Sequence, residues 1–170
     1  MLNVRRRRVG SGWVLELQGV IDGTTTPEQL GRDDEGVVVL DVRGVRAVTS
    51  IGVRTWITSV SNMRATALYY VNCPPPLMLG FNTLQGFAGR GAIVSALVPY
   101  TCANGHLFER RADLRLASFD ATESPPCPTC GGASNLDEEP DYYFSYARAQ
   151  GPPRVGSDAD QILSQLDTGK

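Results

Sequence analysis

Val37-Val38-Val39-Leu40-Asp41-Val42, running on through Arg43-Gly44-Val45-Arg46-Ala47-Val48-Thr49-Ser50-Ile51-Gly52, is the stretch that decides how this chain folds. The first six residues are an almost unbroken β-branched apolar run, the pattern of a strand buried on both faces. Gly44 closes that strand. Ser50 stands where a helix N-cap is expected. Val53, Trp56, Ile57, Val60 and Met63 then recur at helical spacing, which predicts an amphipathic helix over 51–63.

Upstream, Trp13-Val14-Leu15-Glu16-Leu17 alternates apolar and polar side chains, as a half-buried strand does. Residues 4–9 pair with it as a hairpin through Gly10-Ser11-Gly12. Arg5, Arg6, Arg7 and Arg8 then lie on an edge strand, where charge discourages aggregation. The competing reading of that run is contact with an anionic surface, but it is shorter than a typical basic patch. Residues 19–26 are turn-like. Pro27 opens a single helical turn over 27–30 with Thr26 as its cap. Downstream, residues 65–71 read as a strand, and Asn72-Cys73-Pro74-Pro75-Pro76 as a rigid extended break. A second helix is expected over 77–87 and a buried strand over 92–98. Strands alternating with helices predict an α/β sheet with parallel pairs. The handedness of crossovers then places the helices on one face.

The chain has 170 residues, enough for one domain or two small ones. Hydrophobic residues make up 42% and charged residues 20%, which excludes a disordered chain and a coiled coil. No apolar run reaches the roughly 18 residues of a membrane helix. The start lacks the apolar segment of a signal peptide, so a cytoplasmic protein is expected. The net charge of -2 gives no general pull toward nucleic acid. Charge is uneven, with a net +3 over 1–99 and -5 over 100–170, a break that predicts two modules and a tail: 1–99, 100–150 and 151–170.

The order Gly19-Val20-Ile21-Asp22, then residues 37–42, then Arg43-Gly44-Val45 and Val48-Thr49-Ser50-Ile51-Gly52-Val53-Arg54, resembles the STAS domain family. That is the fold of anti-sigma-factor antagonists and of sulphate-transporter tails, and the likeness covers about residues 3–99. It implies a STAS-like mixed sheet with helices on one face. It also implies a protein-binding surface at the helix entry, here Thr49, Ser50, Ile51, Gly52 and Arg54. In phosphorylatable members a Ser or Thr directly precedes the helix-entry Gly, and an Asp stands two residues before that acceptor. This chain has Ile51 and Thr49 in those places. Ile51 accepts no phosphate, so the usual switch is not expected there. Ser50 and Thr49 read as helix caps. The connection from Asp22 to the buried strand is short for the family, so its first helix is expected to shrink to a turn.

Of four cysteines, Cys73 is a spectator by its distance from the others. Cys102, His106, Cys127 and Cys130 form a C-x3-H, x20, C-x2-C pattern that includes the chain's single histidine. Zn²⁺ takes tetrahedral sulfur and nitrogen ligands, and a Cys3His set leaves no open position, so a structural zinc is expected. A redox pair of Cys127 and Cys130 is the weaker reading. That motif belongs at a strand-to-helix turn, whereas Ser124-Pro125-Pro126 and Gly131-Gly132 make this one a loop. With short strands at 107–109 and 114–116, the segment resembles a small β zinc-ribbon module over 100–134.

Beyond it, residues 136–146 turn from acidic to aromatic. Asp137 is a cap, and Tyr142, Tyr143 and Tyr146 share a helical face that either docks or binds a partner. Gly151-Pro152-Pro153 is a linker, and 157–166 a short helix, docked or frayed. There is no Gly-rich phosphate loop and no Ser-His-Asp set, and Asp22 and Asp41 read as turn caps. The expectation is a non-enzymatic adaptor in bacterial signalling with a protein partner (a regulator, a kinase or a transporter subunit), no nucleic acid and no membrane insertion. The alternative is an accessory or small-ligand-binding subunit of a membrane transport system.

Overall fold

The computed structural model describes residues 1–31, 36–116 and 124–167. Its first sheet is mixed. β1 (Leu2–Val9) and β2 (Gly12–Ile21) form an antiparallel hairpin turned at Gly10. β2 pairs in parallel with β3 (Val37–Val48), β3 with β4 (Ala67–Val71), and β4 with the two-residue β5 (Ala92–Ile93). The order is β1-β2-β3-β4-β5. Between β2 and β3, residues 27–30 make successive turns, with Gln29, Leu30 and Gly31 donating to carbonyls three residues back.

α1 (Ser50–Ser61) links β3 to β4, and α2 (Pro75–Thr83) links β4 to β5. Both pack on the face that presents Leu15, Leu17, Val38, Leu40, Val42 and Tyr70. Trp56 of α1 is fully buried there, and its indole N–H donates to the Phe87 carbonyl at 2.9 Å. The ring of Phe81 lies 5.1 Å from Tyr70 and 5.3 Å from Phe87, so one aromatic cluster joins both helices to the sheet. Pro75 and Pro76 open α2 and do not precede it as a rigid break, because proline is tolerated in a first helical turn where its missing N–H would be unpaired anyway.

Placing every helix on one face is corrected by the last element. α5 (Ser157–Asp167) covers the opposite face, seating Ala159, Ile162 and Leu163 on Val9, Val14, Val39, Tyr69, Val71 and Val94. The physical reason lies in β3 itself. Val38 and Leu40 point one way and Val37 and Val39 the other, so both faces demand apolar cover.

The second sheet is antiparallel, in order β7-β6-β8, from β6 (Ser95–Cys102), β7 (Leu107–Asp113) and β8 (Ser134–Leu136). The strand expected over 92–98 is therefore divided at Val94, where the chain leaves one sheet for the other. A parallel bridge between Cys73 and Ala96 stitches the two together. The strand expected at 114–116 is a turn, closed by the Arg115 N–H and guanidinium on the Asp113 carboxylate. α3 (Pro140–Tyr143) and α4 (Ser145–Gln150) then return along α2. Glu139, not Asp137, precedes the first of them. Asn82 of α2 donates to the Tyr142 and Tyr143 carbonyls and accepts from the Tyr146 N–H, while the Tyr143 hydroxyl donates to Leu97 of β6. The tail thus ties α2 to the second sheet.

Candidate metal centre and helix head

Two knuckles face each other at the far end of the second sheet. Cys102 ends β6, and Gly105, with φ 77°, turns the chain so that His106 can precede β7. The turn is held by Gly105 N–H on the Cys102 carbonyl at 2.8 Å and by Cys102 N–H on the His106 carbonyl at 3.1 Å. The second knuckle has the same design. Gly131, with φ 70°, donates to the Cys127 carbonyl at 2.8 Å, and Cys127 N–H donates to Gly132. A side chain at either glycine would strain a left-handed backbone. Pairing of Cys102 with Ser134 brings the knuckles together.

Cys102, His106, Cys127 and Cys130 offer ligand atoms that all lie within 4.8 Å of one another. The Cys102 and Cys130 sulfurs are 3.8 Å apart, and His106 Nδ1 is 3.4 Å from Cys102 Sγ and 3.7 Å from Cys127 Sγ. All four cysteines are free thiols. This cluster can hold a metal ion. Backbone N–H groups favour thiolate here. The N–H of Gly132, the Asn104 amide at 3.4 Å and His106 bring the Cys130 thiol down to about 6. Burial opposes ionisation of Cys127, but the N–H groups of Cys130 and Thr129 outweigh it and hold that thiol below its ordinary value. Burial keeps Cys102 up. Thiolate is the form that binds metal. Asn104 was not among the residues singled out from sequence. Its position inside the first knuckle, with two amide donors, was the available signal. Cys73 lies fully buried under α2, where burial pushes its thiol well up, far from this chemistry.

The head of α1 differs from its sequence reading in two ways. Thr49, not Ser50, is the N-cap: its hydroxyl accepts from Gly52 N–H at 3.0 Å. Gly52 is buried against the chain's own backbone, not open to a visitor. A Cβ there would stand 2.1 Å from the Ile21 carbonyl oxygen. Gly52 therefore lets α1 seat on the end of β2, where Thr49 N–H also donates to Ile21 and the Thr55 hydroxyl reaches Asp22. Gly52→Ala is expected to destabilise the fold by about 1–3 kcal/mol, the range of core overpacking. Urea unfolding of the variant checks this. Thr49, Ser50, Ile51 and Arg54 remain on the surface.

Asp22 caps a turn, whereas Asp41 lies inside β3, paired with both neighbouring strands, and caps none. Asp22 accepts from the Thr24 N–H and hydroxyl, and the Met1 ammonium at 2.8 Å, then Thr24, hold its carboxyl down to about 2. Asp41 is buried and accepts from Arg43 and from the Asn72 amide. Among the described residues no helix is long and apolar enough to cross a membrane. Neither a family model, nor a curated protein, nor a solved structure matches the chain.

Proposed function

We propose that the chain is a non-enzymatic STAS-like adaptor of bacterial signalling, joined to a zinc ribbon whose ion is structural. Support for the first part is topological. A mixed sheet with an antiparallel edge hairpin and parallel crossovers through α1 and α2 agrees with what the motif order implies. Support for zinc is metric. A tetrahedral ion with Zn–S bonds of about 2.3 Å sets its sulfurs about 3.8 Å apart, and the Cys102–Cys130 separation is 3.8 Å. Four protein ligands would close the shell against water. The only histidine would then be spent on the metal, leaving no imidazole for acid–base work.

Ile51 carries the adaptor reading. It stands 71% exposed at the head of α1, in the place where phosphorylatable family members keep their acceptor. Ser50 and Arg54 flank it on the surface. A groove of about 380 Å³ begins at Val48, just before the helix, and runs over Pro75 and Leu79 to Tyr142. Leu79 and Tyr142 are exposed too. Isolated exposed apolar residues are ordinary, but a group of them around one helix end suits a protein partner.

Affinity purification from the native cell tests this reading. Ile51→Asp is expected to weaken partner capture roughly thirtyfold, the effect of losing one interface hot spot. Arg54→Glu should weaken it less, at unchanged thermal stability, since exposed substitutions usually cost under about 0.5 kcal/mol. A captured sigma-factor regulator or kinase supports signalling, and a transport ATPase supports the accessory-subunit alternative. If both variants capture the partner like the parent protein, the helix head is not the contact surface.

A further inference from the structure

The arginine run of β1 divides by strand alternation. Arg6 and Arg8 lie over the Trp13 ring, 5.2 and 5.9 Å from its centre. Arg5 and Arg7 point to the other face of the sheet, which α5 covers only in part. The apolar side chains of that face lie under the helix. Beyond its last turn, marked by Leu166, the face becomes an open polar basin of about 770 Å³ lined by Arg5, Arg7, Arg43, Glu16, Gln18 and Asp41. That volume suits a small molecule.

The charges in the basin are arranged, not merely near one another. Glu16 engages Arg7 through Nε at 3.3 Å. Asp41 engages Arg43 through Nε, with both carboxylate oxygens at 3.1 Å. Asp41 is itself committed to Asn72 and to the Arg43 N–H. Each carboxylate therefore holds a guanidinium by its inner nitrogen and leaves the two outer ones to reach a ligand. Arg5 pairs with no acid among the described residues. Three guanidiniums against two carboxylates leave an excess of positive charge, in a chain that is acidic as a whole. Planar forks of this kind match the oxygens of a phosphate, with the strength of charge-assisted hydrogen bonds. A helix N-terminus plays no part, since α5 ends here.

We infer that this basin binds a small phosphate monoester, its phosphate gripped by Arg5, Arg7 and Arg43 and the Gln18 amide turned toward the remainder of the molecule. The inference is independent of the adaptor reading and of the metal. It uses neither the helix head nor the second sheet.

Calorimetric titration of the full chain at low ionic strength, with inorganic phosphate and with phenyl phosphate, tests it. Saturable binding at one site is expected, tighter for phenyl phosphate than for phosphate alone. Arg5→Gln and Arg43→Gln should each weaken it at least about tenfold, the effect of one lost charge-assisted bond. Arg6→Gln, which removes the same charge from the opposite face of the same strand, should leave it unchanged. Arg5 is exposed, so its variant stays informative even if the Arg43 variant proves unstable by thermal melting. Equal losses from Arg5→Gln and Arg6→Gln would mean only diffuse charge attraction and would overturn the proposal. So would an absence of saturable binding by either probe.

Discussion

Cys127→Ser is expected to release the metal and with it the order of the outer part of the second sheet, while the first sheet stays folded. β7 lies mostly on the surface, and Leu107 at its start is 75% exposed. β8 has three residues. So small a sheet buries too little apolar surface to hold itself together. In structural zinc sites the binding free energy, about 10–16 kcal/mol in zinc-finger peptides, is largely the folding free energy. Serine offers no thiolate, so the closed shell opens. The loss should nevertheless have a boundary. β6 is anchored elsewhere, through its bridge to Cys73, the Leu97 N–H on the Cys73 carbonyl and the Tyr143 hydroxyl on Leu97. α3 and α4 are held by Asn82 of α2. Elemental analysis should find about one zinc per parent chain and none in the variant, as a closed four-ligand shell requires. Hydrogen exchange should then rise in the two knuckles, β7 and β8, and hardly change in β3, β4 and α1. A metal-free chain that keeps protection in β7 and β8 would show that the ion does not hold this sheet.

How much of this was legible beforehand depended on whether a signal was local. The core strand at 37–42 announced itself by β-branched composition, and α1 by its apolar spacing, because both patterns are written within one element. The four candidate metal ligands were legible for the same reason, each knuckle being a few residues long with its own glycine. Four features were not legible. Thr49 rather than Ser50 caps α1, a choice of one position that depends on where Ile21 ends its strand. Gly52 reads as a surface glycine until β2 is brought against it. The docking of α5 on the second face needed the knowledge that Val14, Val39, Val71 and Val94 share that face, which comes from register and not from any run of residues. The residue that joins the two sheets, Asn72, looked like the first member of a proline-rich break.

Asn72→Ala is expected to cost about 4 kcal/mol or more. Asn72 sits just past the end of β4, 4% exposed, with φ 56°. Its N–H donates to the Ser95 hydroxyl at 2.8 Å, its amide to Asp41 at 3.1 Å, and its carbonyl oxygen accepts from Arg111 Nε at 3.0 Å. One side chain thus ties β3 to β7, and its backbone ties β4 to β6. Alanine removes two hydrogen bonds to charged groups, each about 1.5–3 kcal/mol. It leaves the buried Asp41 short of a donor. It also leaves alanine in the left-handed region, which costs an ordinary L-residue about 1–2 kcal/mol and which asparagine tolerates. Asn72→Gly loses the same side-chain bonds without that backbone penalty, so it should be less destabilised than alanine by about 1–2 kcal/mol. Urea unfolding of both variants separates the two contributions. If glycine restored full stability, the side-chain bonds to Asp41 and Arg111 would count for nothing and only the backbone conformation would matter. If alanine and glycine were equally destabilised, the left-handed conformation would not be what favours asparagine here. The expected order, parent above glycine above alanine, requires both contributions. It would make Asn72 a point at which the mixed sheet and the second sheet are tied together.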